Sequence, residues 1–132
     1  MMDGMLNSNA KYMLARMGHR DLLAITDAGF NIPKDVETVD LALMRNIPTL
    51  MQVIEAVQSE VPVEKVYLAE EIKTLAPDIL EQYRAHFPDT EFEFMPHTPD
   101  FDNLVGRCKG AIRSGQFYYH APNCVLKIGC VY

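Results

Sequence analysis

Short apolar runs alternate with longer segments of helical periodicity along this chain, and that alternation restricts its fold more than any other feature. Residues 22–26 (Leu-Leu-Ala-Ile-Thr) and 65–69 have the length and apolar character of buried strands. Residues 39–43 and 91–95 alternate polar with apolar side chains, and the second of these reads as a strand with one wet face. Helical spacing fills the gaps. Asn7-Ser8-Asn9 caps a helix over residues 10–17 with Gly18 as its stop, and Pro48 opens one that turns Leu50, Met51, Ile54, Val57 and Val61 inward before Pro62. A third helix covers residues 76–87, with Ile79, Leu80 and Tyr83 inward. Thr98-Pro99-Asp100 reads as cap, first-turn proline and first-turn acid of a short helix running to about Cys108.

Such an order predicts a three-layer α/β/α fold with a largely parallel sheet, built as one domain over residues 1–132. The last two strands, 111–113 and 124–128, follow each other too closely for a helical crossover. An antiparallel edge is therefore expected there. Ligands in such sheets sit beyond the carboxyl ends of the strands. Asp27, His97 and the turn after Arg113 all fall at such ends.

Charge narrows the partners. Twelve Lys and Arg against eighteen Asp and Glu leave a net charge of −6, with no basic cluster, which argues against nucleic acid. The first residues hold no basic segment followed by an apolar one, and no stretch reaches the ~18 apolar residues of a membrane span, so the expectation is a cytoplasmic chain with no membrane partner. Three cysteines, Cys108, Cys124 and Cys130, without a C-x-x-C pair indicate neither a disulfide framework nor a zinc ribbon; they read as small apolar side chains.

The stretch from Gly18 to Pro33 carries the best candidate chemistry. His19 follows a helix end, where the dipole favours the imidazolium and suits a general acid. Asp27 leaves the next strand at a glycine turn. Each also has a plain structural reading: His19 can bond the last helix carbonyls, and Asp27 can form an Asx turn. The two meet only if the backbone folds back between them. His97 precedes a helix start, which disfavours positive charge and casts it as a neutral hydrogen-bonding partner, unless it is simply a loop residue. Glu70-Glu71 reads as a solvated pair pointing apart. The four histidines lack metal-ligand spacing, and no nucleotide or serine-hydrolase motif occurs. The aromatic stretch around Tyr118 and Tyr119, ending in Asn123, suits a carbohydrate, whose C–H faces pack on rings while its hydroxyls need polar partners.

Taken together, Leu6-Asn7-Ser8, Gly18-His19-x-Asp21, Asp27-Ala28-Gly29, Asp40-Leu41-Ala42-Leu43, Leu68-Ala69-Glu70-Glu71-Ile72-Lys73, the His97 loop and Ala111-Ile112-Arg113-Ser114-Gly115 resemble the D-ribose pyranase family. The related L-fucose mutarotases share the Gly-His and Asp-Ala elements but have histidine where this chain has Gly29. The resemblance implies a cytoplasmic, cofactor-free isomerase that interconverts pyranose and furanose forms of a free monosaccharide, most simply D-ribose. It also implies a homo-oligomer, commonly a decamer of two pentameric rings, with sites at subunit clefts. By position His19 matches the family's proton donor, while Asp27, His97 and Asn123 match its sugar-binding residues.

The chain departs from the family in three places. His120-Ala121-Pro122-Asn123 stands where Tyr-Ala-Asn is usual, with Tyr119 placed to take over from the missing phenol and His120 replacing it. Asn31 replaces a proline, and His97-Thr98-Pro99-Asp100-Phe101 replaces His-Glu-Glu-Phe. Two further functions stay open: a mutarotase for L-fucose or another sugar, and a non-catalytic sugar-binding accessory of an uptake system.

Overall fold

The structure, a computed structural model, describes residues 4–117 and 119–130. Helix α1 (Ser8–Ala15) starts at Asn7, whose Oδ1 accepts from the Ala10 N–H at 2.9 Å. It ends before Gly18, and the left-handed residue is Arg20 (φ 77°), not the glycine. Strand β1 (Leu22–Thr26) has its expected bounds. Strand β2 (Glu37–Asp40) stops short of Leu41 because the Asp40 carboxylate turns back to accept from the Ala42 N–H. Helix α2 (Leu50–Gln58) begins two residues beyond the expected proline start. Thr49 and Gln52 form a reciprocal capping box there, and Pro48 lies outside it.

Strand β3 (Val63–Ala69), the short helix α3 (Ile72–Leu75), helix α4 (Pro77–His86) and strand β4 (Glu91–Met95) follow. A wide π-type turn, His97–Phe101, leads into helix α5 (Asp102–Gly106). Strands β5 (Gly110–Arg113) and β6 (Cys124–Ile128) complete the chain. All six strands form one sheet in the order β2-β5-β1-β6-β3-β4.

The three-layer α/β fold with a mostly parallel sheet is as expected, but the antiparallel strand is not at an edge. β6 runs between β1 and β3, antiparallel to both, while β1/β5, β2/β5 and β3/β4 pair in parallel. Chain proximity of β5 and β6 forbids a helical crossover but does not force them to pair. The connection instead passes over β1 and inserts β6 in the centre of the sheet.

Strand side chains alternate between two cores. Leu23, Ile25, Val66, Leu68, Leu126 and Ile128 pack against α1, α2 and α4. Ala24, Ala69, Ala111 and Val125 face the thinner layer of Phe101, Leu104 and Val105. Leu50 and Ile54 of α2 are fully buried, each stabilising the fold by roughly 1.5–3 kcal/mol. Cys108 and Cys124 are buried as small apolar groups, and burial pushes both thiols up to about 12, so neither is a ready nucleophile. Cys130 departs from that reading and is exposed.

The connector after β5 is pinned to the loop before α2. Gly115 N–H donates to Pro48 O at 2.8 Å, Gly115 O accepts from Asn46 N–H at 2.6 Å, and Gln116 Oε1 caps the Leu50 N–H at 3.0 Å. A Cβ on Gly115 would stand 2.5 Å from Ile47 O and 2.6 Å from Met44 O, both backbone atoms that cannot swing aside. Gly115→Ala is therefore expected to destabilise the fold by roughly 1–3 kcal/mol, read as a lower urea midpoint with an unchanged slope.

Candidate functional site

Because β6 is antiparallel, its start lies at the same edge of the sheet as the carboxyl ends of the five parallel strands. Three segments meet at that edge: the turn after β1, the turn after β4, and the connector into β6. Between them opens a cleft of about 340 Å³, lined among others by Asp27, Phe30, His97, Tyr119, His120 and Asn123. A second, more apolar lobe of about 360 Å³ continues past Asp27 to Gln116 and Phe117. This is room for a small polar molecule.

Asp27 begins the turn. Its own N–H donates to Asn123 Oδ1 at 2.6 Å, which ties the end of β1 to the start of β6. Asn123 is buried and holds this bond as a structural tie as well as lining the cleft. The backbone N–H groups of Phe30 and Gly29 face the Asp27 carboxylate, as an Asx turn requires, yet Oδ1 is buried without a hydrogen-bond partner among the described residues. Burial pushes the Asp27 carboxyl above its ordinary range, against those two N–H groups, Arg113 and His97, which pull it down. Arg113 Nη1 donates to Ala28 O at 2.7 Å, and the Gln116 carbonyl accepts from the Ala28 N–H, so the turn is held from below.

His97 is fixed at its backbone by Glu71. Its N–H points between Oε1 (3.0 Å) and Oε2 (3.2 Å) of that carboxylate, which correct the expectation of a solvated pair: only Glu70 is exposed, joined to Lys73. The ring stacks at 5.7 Å on Phe101 and meets the edge of Phe30 at 6.2 Å. Thr98 does not cap a helix. It stays extended (φ −124°, ψ 125°), and its hydroxyl donates to Asp102 Oδ2 at 3.0 Å.

Tyr119 and His120 both line the cleft, and Tyr119 donates its hydroxyl to Asp78 Oδ2 at 2.9 Å, at the head of α4. Tyr118 lies outside the described residues. Ala121 adopts φ 56°, which lets the chain turn into Pro122, whose carbonyl accepts from the buried Tyr83 hydroxyl at 2.6 Å. The one-residue-longer segment is thereby anchored to α4.

His19 is not part of this cleft. It stands before the amino end of β1, at the opposite edge of the sheet from Asp27, with about 17 Å of strand (five residues at roughly 3.4 Å) between them. The chain does not fold back. Arg20 N–H bonds to Ile128 O, and the His19 Nε2 pairs with Glu64 Oε1 at 2.9 Å. His19 and Asp27 of the same chain therefore do not meet as one acid and base site. Sequence reasoning missed Glu71, Thr98 and Asp102. Glu71 follows β3, whose partner β4 ends at the His97 turn; the parallel pairing of Ala69 with Met95 brings the two together, and no local sequence signal marks it. Among the described residues no group of three or more His, Cys, Asp or Glu side chains could hold a metal ion, and no helix is long and apolar enough to cross a membrane.

Residues 1–131 match the model of the RbsD / FucU transport protein family. The chain is 41% identical over 128 residues to a D-ribose pyranase of Pediococcus pentosaceus, covering 97% of this chain and 96% of the relative. It is 38% identical to one of Enterococcus faecalis, covering 96% and 95%. Among solved structures, Bacillus subtilis RbsD complexed with D-ribose superposes with a TM-score of 0.93 at 32% identity over 100% of this chain and 99% of that one. The fucose mutarotase of Streptococcus pneumoniae in complex with L-fucose shares the fold, with a TM-score of 0.80 at 17% identity over 96% and 95%.

The electrostatics of Asp27 give a stability test. A carboxyl whose folded pKa is raised stabilises the fold while protonated; that contribution is complete below the ordinary carboxylate range and is lost as pH rises through the folded value. Asp27→Asn removes the loss. Urea unfolding should find the variant at least as stable as the parent at pH 7, with the difference closing below about pH 4.

Proposed function

The chain belongs to the RbsD / FucU transport protein family, and on that footing we propose that it is a D-ribose pyranase, an isomerase passing free ribose between its pyranose and furanose rings. What carries this reading is the coincidence of full-length similarity to D-ribose pyranases with a cleft where carboxylates and imidazoles, Asp27 and His97 among them, face a small-molecule space.

The reaction is a balanced exchange of protons. On opening, the ring oxygen gains a proton as its bond to C1 breaks, and the anomeric hydroxyl loses one to become the aldehyde oxygen. After rotation, the 4-hydroxyl attacks C1, loses its proton, and the aldehyde oxygen takes one up. No electrons are lost or gained, so the chemistry asks for an acid and an acceptor and for no cofactor. Asp27 accepts from a sugar hydroxyl, which supplies the hydrogen its carboxylate lacks. His97, His120, Tyr119 and Asn123 hold the remaining hydroxyls, with the Tyr119 and Phe30 rings against the C–H face.

His19 is the acid, and a neighbouring copy supplies it. Two observations support this: His19 is 40% exposed at the far edge of its own sheet, and the rim beside the cleft, Leu43, Met44, Ile47 and Phe117, is exposed apolar surface that a neighbour would cover. Head-to-tail contact of this kind closes into rings, and the assembly proposed is a decamer of two pentameric rings acting in the cytoplasm, each chain one catalytic domain. The apolar C-terminal stretch Ile128-Gly129-Cys130-Val131-Tyr132 favours such an assembly, and its last two residues lie outside the described residues.

Saturation-transfer NMR on free ribose tests the activity. The parent should accelerate exchange between pyranose and furanose signals, and His19→Ala should lose about 10²–10⁴ of that rate. Binding without acceleration points to the accessory-protein reading, and faster exchange of L-fucose than of ribose in a sugar panel points to the mutarotase reading.

Mixing tests the shared site. His19→Ala and Asp27→Asn chains, each inactive alone, should regain about a quarter of parental sites when assembled together at random. No recovery, or light scattering that shows a monomer at micromolar concentration, removes the shared site.

A further inference from the structure

His97 has more built around it than a hydroxyl-binding residue needs. The Thr98 hydroxyl stands 3.4 Å from Nδ1 of the ring and donates its single hydrogen to Asp102 Oδ2 at 3.0 Å. A carboxylate accepts and cannot donate, so the hydroxyl hydrogen is committed to Asp102. What Thr98 then offers Nδ1 is a lone pair, and Nδ1 must carry the ring hydrogen. Asp102 Oδ1, 3.7 Å from the same nitrogen, points the same way. Nε2 has no hydrogen-bond partner among the described residues, and His97 lines the cleft.

We infer that Thr98 and Asp102 are positioning residues that hold His97 as the Nδ1–H tautomer, making its Nε2 the proton acceptor for the anomeric hydroxyl. This deepens the ribose pyranase reading and rests on it. On ring opening the anomeric hydroxyl passes its proton to Nε2 while C1–O cleavage sends the bonding pair to the ring oxygen, which is protonated by the acid. On reclosure Nε2–H returns a proton to the aldehyde oxygen. The imidazolium formed between these steps has Asp102 on its Nδ1 side.

Every neighbouring element bears on that charge. Asp27, at the end of β1, attracts it directly, and Arg113 from β5 partly offsets Asp27. Glu71, after β3, accepts from the His97 backbone N–H. Phe101 and Phe30 fix the plane of the ring. Asp102 is the anion that reaches Nδ1, through both the relay and the direct approach. His97 is 30% and Asp102 43% exposed at the side chain, so the pair is reachable by solvent and substitutions at Asp102 need no repacking of the core.

Two measurements separate this proposal from the activity it rests on. Long-range ¹H–¹⁵N NMR of the imidazole in the sugar-free protein should report Nδ1–H for neutral His97. Thr98→Val and Asp102→Asn should move it toward Nε2–H, with Thr98→Ser keeping the parental signal. In ribose exchange, Asp102→Asn should lower kcat by roughly 10-fold to 100-fold, a part of the 10²–10⁴ that positioned proton transfer contributes, with a smaller change in KM.

Nε2–H in the parent, or an Asp102→Asn variant with an unchanged kcat, overturns the relay whatever the parental rate. A parent that does not accelerate ribose exchange defeats the pyranase reading, and the catalytic part of this one with it.

Discussion

The insertion of β6 between β1 and β3 is the constraint on which the site depends. An antiparallel strand in the middle of an otherwise parallel sheet must begin where its neighbours end, so the segment that feeds it crosses the carboxyl ends of the strands. The bond from Asp27 N–H to Asn123 Oδ1 seals that crossing at the junction of β1 and β6. Ser114, Gly115 and Gln116 tie the other end of the segment to Thr26, Asn46, Pro48 and Leu50. With both ends fixed, Tyr119 and His120 are carried across the mouth of the cleft on a short span of backbone.

The same arrangement explains where charge is tolerated. Asp27 is half-buried at the end of a central strand, with one carboxylate oxygen unpartnered among the described residues, and Arg113 spends its guanidinium mainly on the carbonyls of the turn above it. The site therefore stores unfavourable desolvation in a residue that a bound hydroxyl would relieve, a common signature of a binding position. His97 instead lies between two carboxylates that act at different points, Glu71 on its backbone and Asp102 on its ring side. Its surroundings place carboxylates on two sides, where the sequence reading had only a helix pole to offer. Thr98 made the difference, by bonding Asp102 rather than capping a helix.

Much of this was legible along the chain. β1, β4 and β6 have the bounds that their apolar patterns indicate, and the inward residues of α4 are those at helical spacing. Asp27, His97, Tyr119, His120 and Asn123 do converge, as residues at strand ends of an α/β sheet should. Other features were not legible. The turn at Asp40, the capping box at Thr49 and the left-handed Arg20 are contests between neighbouring hydrogen bonds of similar worth, which spacing alone does not decide.

By itself the sequence determined which segments become strands and helices and which residue types stand at their ends, because periodicity and capping act within a few residues. Only the tertiary structure decided that β6 lies inside the sheet, that Glu71 holds His97, and that His19 stands at the far edge from Asp27. Those outcomes depend on strand order. Order is set by which apolar faces bury each other across the whole chain, a long-range balance that no local pattern records.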